Sequence, residues 1–258
     1  MDALEVIRPE LLELEFPELI RRVGLDLAAL AVEPDTGSTL AVDYEINPGD
    51  FVRFAQQDLA EGCLRGFINA LSNAKRAIDC QVQKVFDCLG LRPKRNFPAK
   101  MELLSSVGIL APRIVGKVIR TRNYLEHEYV KPQQEQVEDA VDIATLFVAV
   151  LDRAMSFFPE RYDIGNYLDG FEEVPGIPFF HRGISIMFVP EGPKYELYGY
   201  VYELDTQRKK KTTTFWAHST LIPSDDWYED LIKLSYHIDK DKDPEDEVRQ
   251  FLHLVAAS

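Results

Sequence analysis

The feature that most constrains this chain is a change of hydrophobic period near residue 160. Before it, apolar residues recur at helical intervals: Phe54, Leu59, Cys63, Phe67, Leu71 and Ile78, continuing through Val82, Val85, Phe86 and Leu89. Pro48-Gly49-Asp50 is a helix-start signal with Asp50 as the candidate N-cap, Gly62 is a break point between two helices, and Gly90 is a stop. The Arg92 to Pro98 stretch, with two prolines, reads as a loop, followed by a short helix from Ala99 to Val107. Pro112 suits the first turn of a further helix with the stripe Ile114, Val115, Val118, Ile119, Leu125 and Tyr129, closed at Lys131-Pro132. A last helix from Gln134 to Phe158 carries Val137, Val141, Ala144, Val148 and Leu151 at steps of four and three, until Pro159. Long helices with short connections predict an up-and-down helical bundle over 48–160.

After residue 161 the period falls to two. Gly183 to Val189, Tyr195 to Leu204 and Thr212 to Ile222 are β-branched and aromatic runs, and Asp225 to Tyr236 and Asp246 to Leu254 have helical spacing. Residues 161–258 therefore read as a small α+β domain. Residues 1–47 read as a separate N-terminal segment. Within it, Leu25 to Val32 and Thr39 to Ile46 suit a hairpin around Glu33–Ser38, while Pro9 to Leu30 equally suits a partly helical path. The expected fold class is mainly α, a helical bundle with a C-terminal α+β accessory domain.

The 258 residues carry a net charge of −14. That total argues against a nucleic-acid partner until it is mapped along the chain. Residues 1–47 hold −8 and residues 161–258 hold −7, whereas 48–160 hold +1. Inside the middle segment Arg92, Lys94, Arg95, Lys100, Arg113, Lys117, Arg120 and Arg122 are opposed only by Glu102, a locally basic surface on an acidic chain. Arg208–Lys211 is a second basic run, in a turn between two expected strands, and suits a solvated hairpin tip. Cys63, Cys80 and Cys88 have neither Cys-x-x-Cys spacing nor a nearby histidine, so they read as buried small hydrophobes and no metal site is expected. There is no phosphate-binding glycine loop and no nucleophile elbow. No apolar run approaches the roughly 20 residues that a bilayer requires. Met1 to Glu15 lacks the basic start and apolar centre of a signal peptide. A soluble, cytoplasmic protein without membrane contact is expected.

One string carries chemistry: Arg120-Thr121-Arg122-Asn123-Tyr124-Leu125-Glu126-His127-Glu128-Tyr129. It resembles the HEPN superfamily signature, an Arg followed by a polar residue and then by a His four to six positions beyond the Arg; Arg122, Asn123 and His127 fill those places. Tyr129 completes the Arg-x4-His-x-Tyr form of HEPN toxins paired with nucleotidyltransferase antitoxins. The resemblance covers 48–160, so that the expected bundle is HEPN-like. It implies a metal-independent endoribonuclease, usually dimeric, in a defence or toxin–antitoxin setting, with no cofactor. It equally admits a non-catalytic interaction or scaffold module that binds a protein or nucleotide partner.

The residues themselves carry a consistent chemistry. RNA cleavage by its own 2′-hydroxyl needs a base that titrates near neutrality and positive charge on the phosphorane. A histidine supplies the first and an arginine fork the second. On a straight helix, positions five apart diverge by about 140°, so Arg122 and His127 lie at the two edges of one face. Asn123 shares the face of His127 and can orient its ring. A two-fold homodimer through this helix would bring two such pairs around one groove. Tyr129, Arg120 and Lys117 are the candidate substrate contacts, and an antitoxin or regulatory protein is a further expected partner. Against these readings stand ordinary ones: Arg122 with Glu126 as a surface pair, His127 as a helix-end histidine, Tyr129 as a core aromatic.

Overall fold

The computed structural model describes residues 9–110 except 36, 39 and 93, residues 113, 116 and 120, and residues 131–156, 158–167, 180–205, 210–238 and 244–258. It divides into two compact units, one of 1–38 with 159–258 and one of 39–158.

The first unit is built on a mixed six-stranded sheet. Its strands are β1 (Leu12–Glu13), β2 (Ala31–Pro34), β3 (Arg161–Asn166), β4 (Arg182–Val189), β5 (Lys194–Asp205) and β6 (Lys210–Leu221). The spatial order is β1-β6-β5-β4-β3-β2. Strands β3 to β6 form an antiparallel meander; β2 adds antiparallel to β3, and β1 adds parallel to β6. The N-terminal residues thus supply both edges. Along β5 the alternation is plain: Tyr195 and Leu197 are fully buried, while Glu196 and Tyr198 turn to the opposite face.

Helix α1 (Phe16–Val23) runs between the two edge strands and packs on β4, β5 and β6. Eight residues are too few for a helix stable by itself. It is held by burial of Phe16, Leu19, Ile20 and Val23, on the order of 6 to 12 kcal/mol of transfer free energy before chain entropy is charged against it. The fit depends on Gly199 of β5. A Cβ there would stand 2.8 Å from Val23 Cγ2 and 3.1 Å from Leu19 Cδ2. After α1, the buried Asn166 side chain fastens the returning chain. Its Oδ1 accepts from the Asp26 amide at 2.8 Å, and its Nδ2 donates to the Asp26 and Ala29 carbonyls at 2.8 and 2.9 Å.

Two C-terminal helices, named here α6 (Tyr228–Ile238) and α7 (Glu245–Ala257) to leave α2 to α5 for the second unit, complete the first. Ser235 of α6 shares hydrogen bonds with the hydroxyls of Tyr195 at 2.9 Å and Tyr162 at 3.2 Å, and the rings of Tyr195 and Tyr228 meet edge-on at 5.6 Å. Phe251 of α7 packs on Phe16 at 6.0 Å. On the other face of the sheet, the paired Gly165 and Gly183 make a trough. A Cβ on the first would stand 2.4 Å from the Phe180 ring, and one on the second 2.6 Å from the Tyr200 hydroxyl.

The second unit contains α2 (Pro48–Ala60), α3 (Leu64–Leu89), α4 (Phe97–Ser106) and α5 (Gln134–Ser156). Helices α2 and α5 pack on α3 and on each other, and α4 touches α3. The cap of α2 is Asn47, in a reciprocal capping box with Asp50 at the third helical position, so Asp50 is a partner of the cap and not the cap itself. Gly62 and Gly90, at φ +63° and +62°, end α2 and α3 where the sequence placed breaks. Buried Gln81 of α3 donates to Asp152 of α5 at 3.1 Å, and Lys84 donates to the same oxygen at 3.0 Å.

The expectation of a mainly α chain built on a HEPN-like up-and-down bundle is overturned: the chain is α+β. The sheet is no accessory, because it gains three further strands, of which only β2 overlaps a run that the sequence marked, and there with another partner. Arg161–Asn166 is one, and β1 and β2 come from the N-terminal residues. Ala31–Pro34 pairs with Arg161–Asn166 and not within a hairpin, and 40–47 form no strand. Of the cysteines only Cys88 is buried. Cys63 is exposed and caps α3, its Sγ accepting from the Gly66 amide at 3.4 Å. Among the described residues no helix is long and apolar enough to cross a membrane.

Two substitutions test this account by urea denaturation. Gly199→Ala is expected to lose about 1–3 kcal/mol by overpacking against Leu19 and Val23. Asn166→Ala is expected to lose about 1–3 kcal/mol by stranding the Asp26 and Ala29 backbone groups.

Candidate functional site

The residues expected to carry chemistry fall in the second unit. Arg122, Asn123, His127 and Tyr129, together with Lys117, lie outside the described residues. Arg113, Gly116 and Arg120 are described: all three are helical, and both arginines are exposed. The Arg120 guanidinium stands 3.7 Å from where a Cβ on Gly116 would be, so it folds back toward the glycine.

The first part of the basic window, residue 93 aside, lies within the described residues. Gly90 turns the chain out of α3, and Asn96 caps α4 by accepting from the Ala99 amide at 2.9 Å. The stretch between them lays Lys94 and Arg95 beside α3, and Lys100 reaches in from the first turn of α4. Together they border a cleft of about 390 Å³ whose α3 wall is Asp79, Val82 and Gln83. Lys100 is held with unusual definition for a lysine. Its Nζ donates to Gln83 Oε1 at 2.7 Å and sits 5.4 Å from the centroid of the Phe86 ring. Gln83 is itself oriented, since its Nε2 donates to Asp87 Oδ1 at 2.7 Å. The other oxygen of Asp87 accepts from the Tyr44 hydroxyl. Burial and the neighbouring Asp87 carboxylate hold the Tyr44 hydroxyl well above its ordinary pKa, so it stays a donor. A four-residue relay therefore fixes one ammonium on the cleft wall.

The buried Cys88 is a poor nucleophile. Burial pushes the Cys88 thiol up to about 11. Among the described residues no group of three or more His, Cys, Asp or Glu could hold a metal ion.

The first unit gathers polar groups on the trough side of its sheet. Trp216, Tyr198 and His218 form a row, with ring centroids 5.9 and 4.7 Å apart. Glu13 bonds His218 at 3.0 Å, and Glu196 lies beside Tyr198 at 3.3 Å. Lys194 pairs with Glu196 at 2.6 Å, so part of the carboxylate charge along this row is balanced. Asp163, on the same face, is partly buried, and desolvation raises its carboxyl above the ordinary value against the smaller pull of Ser185 and Arg161. Its Oδ1 has no hydrogen-bond partner among the described residues.

No protein-family model, no curated protein and no solved structure matches this chain. The candidate site is therefore argued from its own residues. Sequence reasoning marked Lys94, Arg95 and Lys100 by charge but missed Gln83, Asp87 and Tyr44, which carry no motif.

Asp163 gives a pH test. Its folded pKa lies above its unfolded one, so the unfolded chain ionises first as pH rises, and stability is lost between the two values. Asp163→Asn is expected to be more stable than the parent at neutral pH and to lack that loss. Denaturation midpoints over an acid-to-neutral series measure both; parallel curves for the two proteins would count against the desolvated carboxylate.

Proposed function

We propose that this chain is a metal-independent endoribonuclease in which His127 handles the proton, Arg122 binds the phosphate and Asn123 orients the histidine. The observation that carries the reading is the intact Arg122-Asn123-x3-His127 string within a locally basic stretch of an otherwise acidic protein. The resemblance to the HEPN signature supports it at the level of the motif. The exposed, helical Arg113 and Arg120 supply charge beside the string.

In this reaction the 2′-oxygen attacks the adjacent phosphorus as His127 accepts its proton. The bond from phosphorus to the 5′-oxygen breaks, and the leaving oxygen takes up a proton. The products are a 2′,3′-cyclic phosphate and a 5′-hydroxyl. Arg122, always charged and forked, stabilises the extra negative charge on the phosphorane. On a straight helix Arg122 and His127, five positions apart, would lie at the two edges of one face, and a homodimer through that helix would complete the groove. Tyr129, Lys117 and Arg120 would contact the RNA chain, and an antitoxin or regulatory protein would restrain the activity.

The net charge of −14 favours a second reading, a non-catalytic module that binds a protein or nucleotide partner. Incubating wild type and His127→Ala with structured RNA in excess EDTA separates the two. The enzyme reading expects cyclic-phosphate ends from wild type and a rate lower by about 10²-fold or more in the variant. It also expects no cut where the scissile nucleotide is 2′-deoxy. A dimeric wild type as inactive as the variant would establish the second reading instead, and cleavage at the deoxy position would sink the mechanism.

A further inference from the structure

We propose that the cleft between α3 and the Lys94–Lys100 stretch binds phosphodiester groups of single-stranded RNA, with Arg95 and Lys100 as the phosphate ligands and Gln83 as the residue that positions Lys100. The inference rests on the ribonuclease reading for the identity of its ligand, but not on the catalytic string for its geometry.

Three observations carry it. The first is uncompensated charge. Lys100 donates to an amide oxygen and faces a ring, neither of which cancels its charge, and among the described residues no carboxylate pairs with Lys100 or with exposed Arg95. The only acid on the described wall, Asp79, stands 3.4 Å from Lys75 of its own helix. The second is pre-organisation. A lysine that merely keeps a protein soluble swings freely in water, whereas this one is fixed through Gln83 and Asp87 to Tyr44, 43 residues from Asp87 in sequence. Fixing the side chain before the ligand arrives removes part of the entropy cost of binding. The third is shape. A cleft of about 390 Å³ admits a phosphate with its sugar, and half-exposed Phe97 at its rim offers a ring to an unstacked base.

Phosphate oxygens are what the cations recognise, and a free mononucleotide carries them too. The backbone of a longer chain is the better match, because Arg95 and Lys100 on the cleft border can take successive phosphates of one strand.

The test is fluorescence anisotropy of the full chain with a labelled 2′-O-methyl oligoribonucleotide, which lacks the nucleophile for cleavage and so separates binding from catalysis. Wild type is expected to bind with a steep salt dependence. Arg95→Glu, at an exposed side chain that leaves folding intact, is expected to weaken binding about tenfold or more. The double variant Arg95→Ala/Lys100→Ala is expected to flatten the slope of log affinity against log salt by about 1.4, two cations at roughly 0.7 each for a single strand. Gln83→Leu retains every charge, so affinity should fall on the order of threefold with the slope unchanged, a split that general misfolding does not produce. Affinity and slope equal to wild type in Arg95→Glu and in the double variant would overturn the proposal, as would failure of wild type to bind. Displacement of the oligomer by equimolar AMP would overturn its assignment to an RNA backbone. Binding that depends on Arg95 and Lys100, without cleavage of unmodified RNA, would leave this site standing while the ribonuclease reading fell.

Discussion

The close approach of α1 to β5 at Gly199 is the contact on which the first unit depends. Because no side chain stands at that position, Leu19 and Val23 settle directly onto the strand, and the helix lies across β4, β5 and β6. Its two ends then deliver β1 to the free side of β6 and β2 to the free side of β3. Six strands at about 4.8 Å spacing place these edges roughly 24 Å apart, a span that one short helix with its flanking residues covers. An uncapped meander would present two rows of unpaired amides and carbonyls to other chains. Asn166 secures the far end of the crossing by bonding backbone groups 140 and 137 residues away in sequence.

How much of this was legible follows the range of the interactions. Helices α3 and α5 bury Ile78, Val82, Val85, Val137, Val141 and Leu151 on faces set by steps of three and four, so local spacing is enough to find them. Strands β4 to β6 alternate for the same kind of reason. Strand β3 does not read as a strand: Arg161, Asp163, Gly165 and Asn166 are poor or special β residues, and they extend because partners flank them on both sides. Ala31–Pro34 has strand character, but its partner lies some 130 residues on, and composition says nothing of pairing at that distance. The mainly α expectation failed at this point, since it counted only strands with a local signal.

The candidate site divides in the same way. Charge is additive along a sequence, so the basic window was visible before any fold. Definition is not additive. Whether a lysine is a solvated tether or a fixed ammonium depends on what its neighbours across the fold accept and donate. Tyr44, Asp87 and Gln83 are each unremarkable alone, and their joint effect on Lys100 exists only once α3 and α4 meet.

The edge-to-edge strap also sets an order of events during synthesis. Residues 9–38 leave the ribosome before any strand of the meander that they must cover. The intervening 39–158 amount to about 120 residues, or roughly 6 to 24 s at 5–20 residues per second. By the end of that interval the helical unit has its whole sequence and can complete itself, while the strap still has nothing to close on. The first unit is thus finished only after the second, and the apolar residues of α1 must wait for the strands they cover.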